Sequence, residues 1–212
     1  MKVTLPQHTD KQLAKSLPFK EQQRLEMVRH YEILETFPEE CFERLTRLAA
    51  TIFGTPIALI SLLDHGRQWF KSHYGLDVCE TPLDVSFCRH AIEEDGVMVI
   101  TDATKDQRFA DNPLVTGDPH IRFYAGAPLH LPDGPKIGTL CVIDRIPRKT
   151  LHLTEMQILT DLAAVVVDEM ELRLSLRQAK RRAQGLRSDA TGSEGIGDAR
   201  QIVRAIQHRL EP

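Results

Sequence analysis

The segment Ser86-Phe87-Cys88-Arg89-His90-Ala91-Ile92 sets a thiol two residues from an imidazole. Such a pair can serve redox chemistry or ligate a metal. Two ligands do not make a metal site, and Cys79, His73 and His65 do not fall at helical spacing from the pair, so no metal is expected. The plainer reading makes the pair structural, with His90 hydrogen-bonded at the edge of a pocket. Of the four cysteines, none forms a CxxC pair, and Cys41 and Cys141 lie in apolar surroundings that predict buried, reduced thiols.

A second cluster of functional groups lies in residues 102–118, DATKDQRFADNPLVTGD. Asp102, Asp106, Arg108, Asp111 and Asn112 supply hydrogen-bonding groups, while Phe109, Leu114 and Val115 supply apolar anchors. Asp and Asn close local turns by bonding their own backbone. A loop pinned by Phe109, with Arg108 paired to a nearby carboxylate, accounts for these residues; a lid over a pocket is the functional alternative. Five ring-bearing residues, Phe70, Phe87, His90, Phe109 and Tyr124, are expected to surround a cavity beneath this loop, with Cys88, Asp102 and Arg108 as further ligand-binding candidates. No catalytic residue is assigned. The chain holds no P-loop, Rossmann glycine pattern, GxSxG elbow or HExxH motif.

The elements that position these groups follow from periodicity. From Glu21, Leu25, Val28, Tyr31, Ile33 and Leu34 fall on or near one helical stripe. Phe42, Leu45, Leu48, Ala49 and Ile52 predict a second helix, stopped by Gly54. PIALISLLD is apolar on both faces, as a central strand should be, and the turn at Asp64–Arg67 returns it through QWFKSHYG. An irregular stretch leads to a short helix, SFCRHAIEE, with Ser86 as its N-cap, and then to the strand VMVIT. After the 102–118 loop, with a helical turn expected at 104–109, come the strands IRFYAGAPLHL and KIGTLCVID, joined by Pro132-Asp133-Gly134. A long helix begins near Thr154, with Met156, Leu159, Ala163, Val166 and Met170 on one stripe. Hairpins at both ends imply an antiparallel sheet, and helices flanking it imply an α+β fold.

These segments in this order resemble the GAF domain. RQWFKS, YGLD, ETP, SFCRHAI, ITDATKDQRFADNPLV, IRFYAGAPL and IGTLCVIDRIPR look like a bacterial subfamily found ahead of histidine kinases and diguanylate cyclases. The resemblance implies a five- or six-stranded antiparallel sheet, with the terminal helices packed on one face and a pocket-forming loop region on the other. It implies a sensor in signal transduction that binds an unidentified small molecule or acts as a dimeric adaptor, without catalysis. The alternative is a redox-active protein related to free methionine-R-sulfoxide reductases. Those carry one cysteine before the short helix, one within it and a third in the following loop. Cys79 and Cys88 match the first two, but KDQRFADNP has no cysteine. Bilin-binding members attach their chromophore through a cysteine in the region matching 112–121, and none occurs here. The cyclic-nucleotide signature of phosphodiesterase GAF domains is not found in order.

The organisation read from the sequence is a flexible arm at 1–20, a GAF domain at 21–172, and a basic extension at 173–212. In that extension Gly185 and SDATGSEGIGD are expected to break the long helix into a flexible linker, followed by a short helix carrying Ile202, Val203, Ile206 and Leu210. The apolar surface of the long helix, with Val165, Val167 and Leu174 off its main stripe, predicts a homodimer in which Ile33 and Leu34 offer a matching stripe. An output partner of kinase or cyclase type is expected. A net charge of −3 and a pI near 6.3 give no general attraction to nucleic acid or anionic membrane. The amino-terminal residues lack an apolar signal core, and no stretch approaches the ~18 apolar residues of a membrane span, so a cytoplasmic address is expected.

Overall fold

Strand β1 (Ile57–Asp64) is apolar at nearly every position because both of its faces are covered. It pairs antiparallel with β2 (Arg67–Tyr74) on one side and with β6 (Lys136–Asp144) on the other. Beyond β6 lie β5 (Phe123–His130) and β4 (Met98–Ile100), and beyond β2 lies β3 (Glu80–Pro82), giving the order β3-β2-β1-β6-β5-β4. The computed structural model describes residues 17–132 and 134–193, with side chains to residue 184. Most of the expected arm, Asp133 of the expected turn and the expected terminal helix lie outside the described residues. The fold is α+β, with a six-stranded antiparallel sheet.

Helices α1 (Phe19–His30) and α2 (Glu40–Phe53) cover the face that carries Ala58, Ile60 and Leu62 of β1. The α1 helix is shorter than its apolar period predicts. It ends at His30, and Ile33 and Leu34 lie in a turn where Glu32 and Glu35 have φ of 47° and 57°. Ile33 is nevertheless buried, so its contribution to the stripe was real but not helical. In α2 the buried residues are Phe42, Thr46, Ala49, Ala50 and Phe53, whereas Leu48 and Ile52 are 44% and 47% exposed. Both belong to the apolar stripe that predicts this helix. The helix instead turns Thr46 inward, because Thr46 Oγ1 donates to the Phe42 carbonyl (2.9 Å) and shares a second hydrogen bond with Ser72 Oγ (2.5 Å), which can supply the hydrogen. Gly54 ends α2 in the left-handed region at φ 56°, where a side chain would be strained.

A β-bulge organises the two faces. Ile60 opposes Ser72 and Ser61 opposes Phe70, so Lys71 is the extra residue. Ser72 therefore faces the helices while Phe70 and Gln68 face the opposite side. Lys71 Nζ donates to Glu39 (2.6 Å), Thr36 Oγ1 (2.9 Å) and the Phe37 carbonyl (2.9 Å), and lies over the Phe42 ring. A buried ammonium is tolerated only when paired in this way.

On the other face the chain forms short elements: a 3₁₀ turn at Leu83–Val85, helix α3 (Phe87–Ala91), a second 3₁₀ turn at Ala103–Lys105, and helix α4 (Pro113–Thr116). Ser86 caps α3 by accepting from the Arg89 amide at 3.1 Å, as its sequence position predicts. The 3₁₀ turn at Leu83–Val85 falls where the sequence reads as irregular, and β3 and α4 were likewise not foreseen. The β3 strand pairs only at the sheet edge, where its Pro82 is permitted. The α4 helix begins at Asn112-Pro113, an N-cap followed by Pro at N1 that is visible in the sequence.

Helix α5 runs from Leu153 to Ser193. Gly185 does not break it. One interior glycine costs about 1 kcal/mol against alanine, which the strong helix formers of residues 174–184 offset. The chain divides into two units at Glu171 and Leu172. Within the first, Leu159, Ala163, Val166, Val167 and Met170 are buried, and Tyr31 donates a hydrogen bond to Glu171. Within the second, Leu172 and Leu176 are exposed.

Candidate functional site

The sheet face away from α1 and α2 encloses a cavity of about 390 Å³. Its floor comes from alternate residues of the strands: Leu59 of β1, Gln68 and Phe70 of β2, Tyr124 of β5 and Ile143 of β6. Ser86, Phe87 and Cys88 close one side, and Leu114, Pro119 and Ile121 another. The 75–81 segment brings Leu76 and Thr81. Three charged residues, Asp77, Asp118 and Arg145, lie at the exposed rim, where Arg145 Nε donates to the Pro119 carbonyl at 3.2 Å. The volume suits a small organic molecule.

Polar groups inside are few and oriented. Ser86 Oγ donates to Gln68 Oε1, which leaves the Gln68 Nε2 amide as a donor on the cavity wall. Thr81 Oγ1 is buried with no hydrogen-bond partner among the described residues. An unsatisfied buried hydroxyl costs ~1–3 kcal/mol, so its presence beside a cavity marks a place where packing is not the selected property.

Of the eight residues expected to bind a ligand, Phe70, Phe87, Cys88 and Tyr124 line this cavity. Phe109 is buried one layer behind, stacked on Phe87 with ring centroids 3.9 Å apart. His90 meets the Phe109 ring edge-on at 5.1 Å, outside the wall. Burial, helped by Arg89 and Arg108, holds its imidazole below the ordinary histidine range. Asp102 and Arg108 border a separate polar cleft with Lys105 and Arg148. Asp102 caps the second 3₁₀ turn by accepting from Thr104, and its ion pair with Lys105 (2.8 Å) with that bond holds its carboxyl at about 2. Arg108 grips Asp106 through two nitrogens, at 3.0 and 2.8 Å. These residues shape the 102–118 segment, as its turn chemistry predicts, and do not face the cavity.

Sequence reasoning missed Gln68, Thr81, Ile143 and Arg145. The signal for Gln68 was present, since it lies two residues from Phe70 on the same face of one strand. The thiols are also arranged differently from the expected pairing. Cys79 is exposed, whereas Cys88 and Cys141 are buried with their sulfurs 3.9 Å apart. Tyr124 Oη donates to Cys88 Sγ at 3.4 Å. Tyr124 lies flat across Gly126, where a Cβ would stand 2.2 Å from the phenol oxygen. The buried hydroxyls of Ser61 and Thr139, opposite one another on β1 and β6, have no hydrogen-bond partner of normal geometry and stand beside this cluster. Among the described residues no group of three His, Cys, Asp or Glu side chains could hold a metal, and no helix is long and apolar enough to cross a membrane.

Comparison with known proteins places this architecture. The family model for the GAF domain matches residues 38–169, more than half of the chain. A cyclic di-GMP phosphodiesterase of Pseudomonas aeruginosa is 48% identical over 150 residues, covering 71% of this chain and 26% of that protein. The chain thus spans about a quarter of the length of that relative. Among solved structures, the GAF domain of an Acinetobacter phosphoenolpyruvate-protein phosphotransferase superposes with a TM-score of 0.53 at 18% identity, covering 77% of this chain and 97% of that one. The free methionine-R-sulfoxide reductase of Neisseria meningitidis gives 0.53 at 17% identity, covering 77% and 95%. At such identities these two likenesses speak for the fold. The chain belongs to the GAF domain family.

Proposed function

We propose that this GAF domain is a cytoplasmic sensory module that binds a small molecule in the cavity and carries out no reaction of its own. The observation that carries the reading is the cavity wall itself. A floor of apolar side chains faces one oriented amide donor, Gln68 Nε2, whose carbonyl is already committed to Ser86. A ligand that fits has an apolar body and a hydrogen-bond acceptor directed at Gln68. The 48% identity to part of a cyclic di-GMP phosphodiesterase supports an output in cyclic di-GMP signalling, whether cyclase, phosphodiesterase or kinase-coupled. A thermal-shift screen of soluble metabolites tests it: the compound that raises the wild-type melting temperature is expected to lose most of that effect on Gln68→Leu. A shift of equal size in both proteins would refute the assigned wall.

Signalling through a homodimer is part of the same proposal, with a seam other than the stripe of Met156, Leu159, Ala163, Val166 and Met170. Leu159, Ala163, Val166 and Met170 are buried within the protomer and are not available to a second copy. Val165 remains 46% exposed, and the sequence continues its heptad phase through Leu172 and Leu176, each exposed in its own unit. Light scattering of wild type and of Val165→Glu with Leu172→Glu separates the cases. A dimer that becomes a folded monomer is the expected result; a monomeric wild type at micromolar concentration would overturn it.

A further inference from the structure

The buried sulfurs of Cys88 and Cys141 stand 3.9 Å apart, one on helix α3 and the other on strand β6. They come from elements 53 residues apart, so no local motif brings them together. Cys88 also lines the cavity, whereas Cys141 is fully buried behind it. Both thiols are thus withdrawn from the surface, and Cys88 is the one whose residue borders the space a small solute would enter. We propose that Cys88 and Cys141 form a reversible, peroxide-driven disulfide that ties α3 to the sheet.

The chemistry balances with a hydroperoxide as oxidant. The Cys88 sulfur attacks the peroxide oxygen; the S–O bond forms, the O–O bond breaks, and the leaving alkoxide or hydroxide takes up a proton. The Cys141 sulfur then attacks the Cys88 sulfenic acid; the S–S bond forms, and the departing oxygen leaves as water with the Cys141 proton. Two thiols have lost two electrons and two protons, and the peroxide has been reduced to water and an alcohol, or to two waters. A dithiol reverses the step by exchange, becoming a disulfide itself.

The surroundings support Cys88 as the thiol that reacts first. Burial pushes both groups up, but around Cys88 the Cys141 thiol and the Thr139, Tyr124 and Ser61 hydroxyls can all turn a hydrogen toward the sulfur and favour its thiolate. Its neighbour Cys141 is correspondingly held above the ordinary thiol range. Ser61 and Thr139 can do this because neither hydroxyl has another partner among the described residues. Closing the sulfurs to about 2 Å draws α3 toward β6, and α3 carries Phe87, which forms part of the cavity wall. Oxidation would thus reach the cavity through an adjacent residue.

Peptide mapping of the full chain after hydrogen peroxide treatment, with alkylation of remaining thiols, tests the proposal. The expected result is a Cys88–Cys141 crosslinked peptide lighter by two hydrogens, lost on treatment with dithiothreitol and retained in Cys79→Ser. In Cys141→Ser, Cys88 should instead be captured as a sulfenic acid by dimedone. Should that variant fail to fold, the wild-type map still decides. A crosslink from Cys88 to Cys79, or Cys88 and Cys141 both alkylated as free thiols while exposed Cys79 is oxidised, would overturn the proposal.

Discussion

The two faces of the central sheet solve opposite problems with the same strands. On the helix face, polar groups are few and paired: Thr46 bonds Ser72, and the Lys71 ammonium reaches Glu39, Thr36 and the Phe37 carbonyl. On the cavity face, three buried hydroxyls, those of Ser61, Thr81 and Thr139, have no hydrogen-bond partner of normal geometry among the described residues, and the same face borders a cavity of about 390 Å³. A face selected for stability alone would satisfy or replace such groups. Their concentration on one side locates the part of the molecule where something other than packing sets the residue choice.

Large changes should fall on the helix face. Phe42 is wholly buried between α2 and the sheet, so Phe42→Ala is expected to destabilise by ~4 kcal/mol in urea denaturation. A loss below about 1 kcal/mol would erase the distinction between the faces. On the cavity face the sign should reverse. Thr81→Val keeps the shape and removes a buried hydroxyl with no hydrogen-bond partner among the described residues, so stability should hold or rise by up to ~1 kcal/mol. A clear loss would mean that the hydroxyl is satisfied in the folded protein.

The smallest effect belongs to the 102–118 segment. The Asp102 carboxyl is held at about 2, below its ordinary 3.8, by Lys105 and Thr104. A depressed carboxylate contributes stability that is complete above its ordinary value and lost as pH falls through about 2. Carbon-detected NMR titration should place Asp102 at the low end of the aspartates, with Asp102→Asn changing the acid limb of the stability curve and leaving the cavity unaffected. An Asp102 midpoint at the ordinary value would remove this segment's cap.

How much of this was legible in the sequence follows the same division. The hairpins, the central strand and the Ser86 cap were visible because each depends on local pattern: alternation, a turn dipeptide, a capping hydroxyl. The α2 face was misjudged because hydrophobicity counts Leu48 and Ile52 as core, while Thr46 goes inward by virtue of Ser72 on another strand. The cavity was partly legible. Aromatic residues marked its general place, but Phe109 and His90 stack behind or beside the wall, a distinction of one layer that residue type does not encode. Gln68 and Cys141 become significant only through partners 18 and 53 residues away, Ser86 and Cys88. The long helix passed Gly185 because a single glycine is a weak stop within a strongly helix-forming run.

The central claim is that the cavity face is built to hold a small molecule. Native mass spectrometry of the chain purified from cells, beside Gln68→Leu prepared identically, tests it most directly. The wild-type protein should carry one discrete small-molecule mass that Gln68→Leu loses while remaining folded. The same adduct on both proteins, or a bare wild type whose melting temperature no metabolite raises, would contradict it.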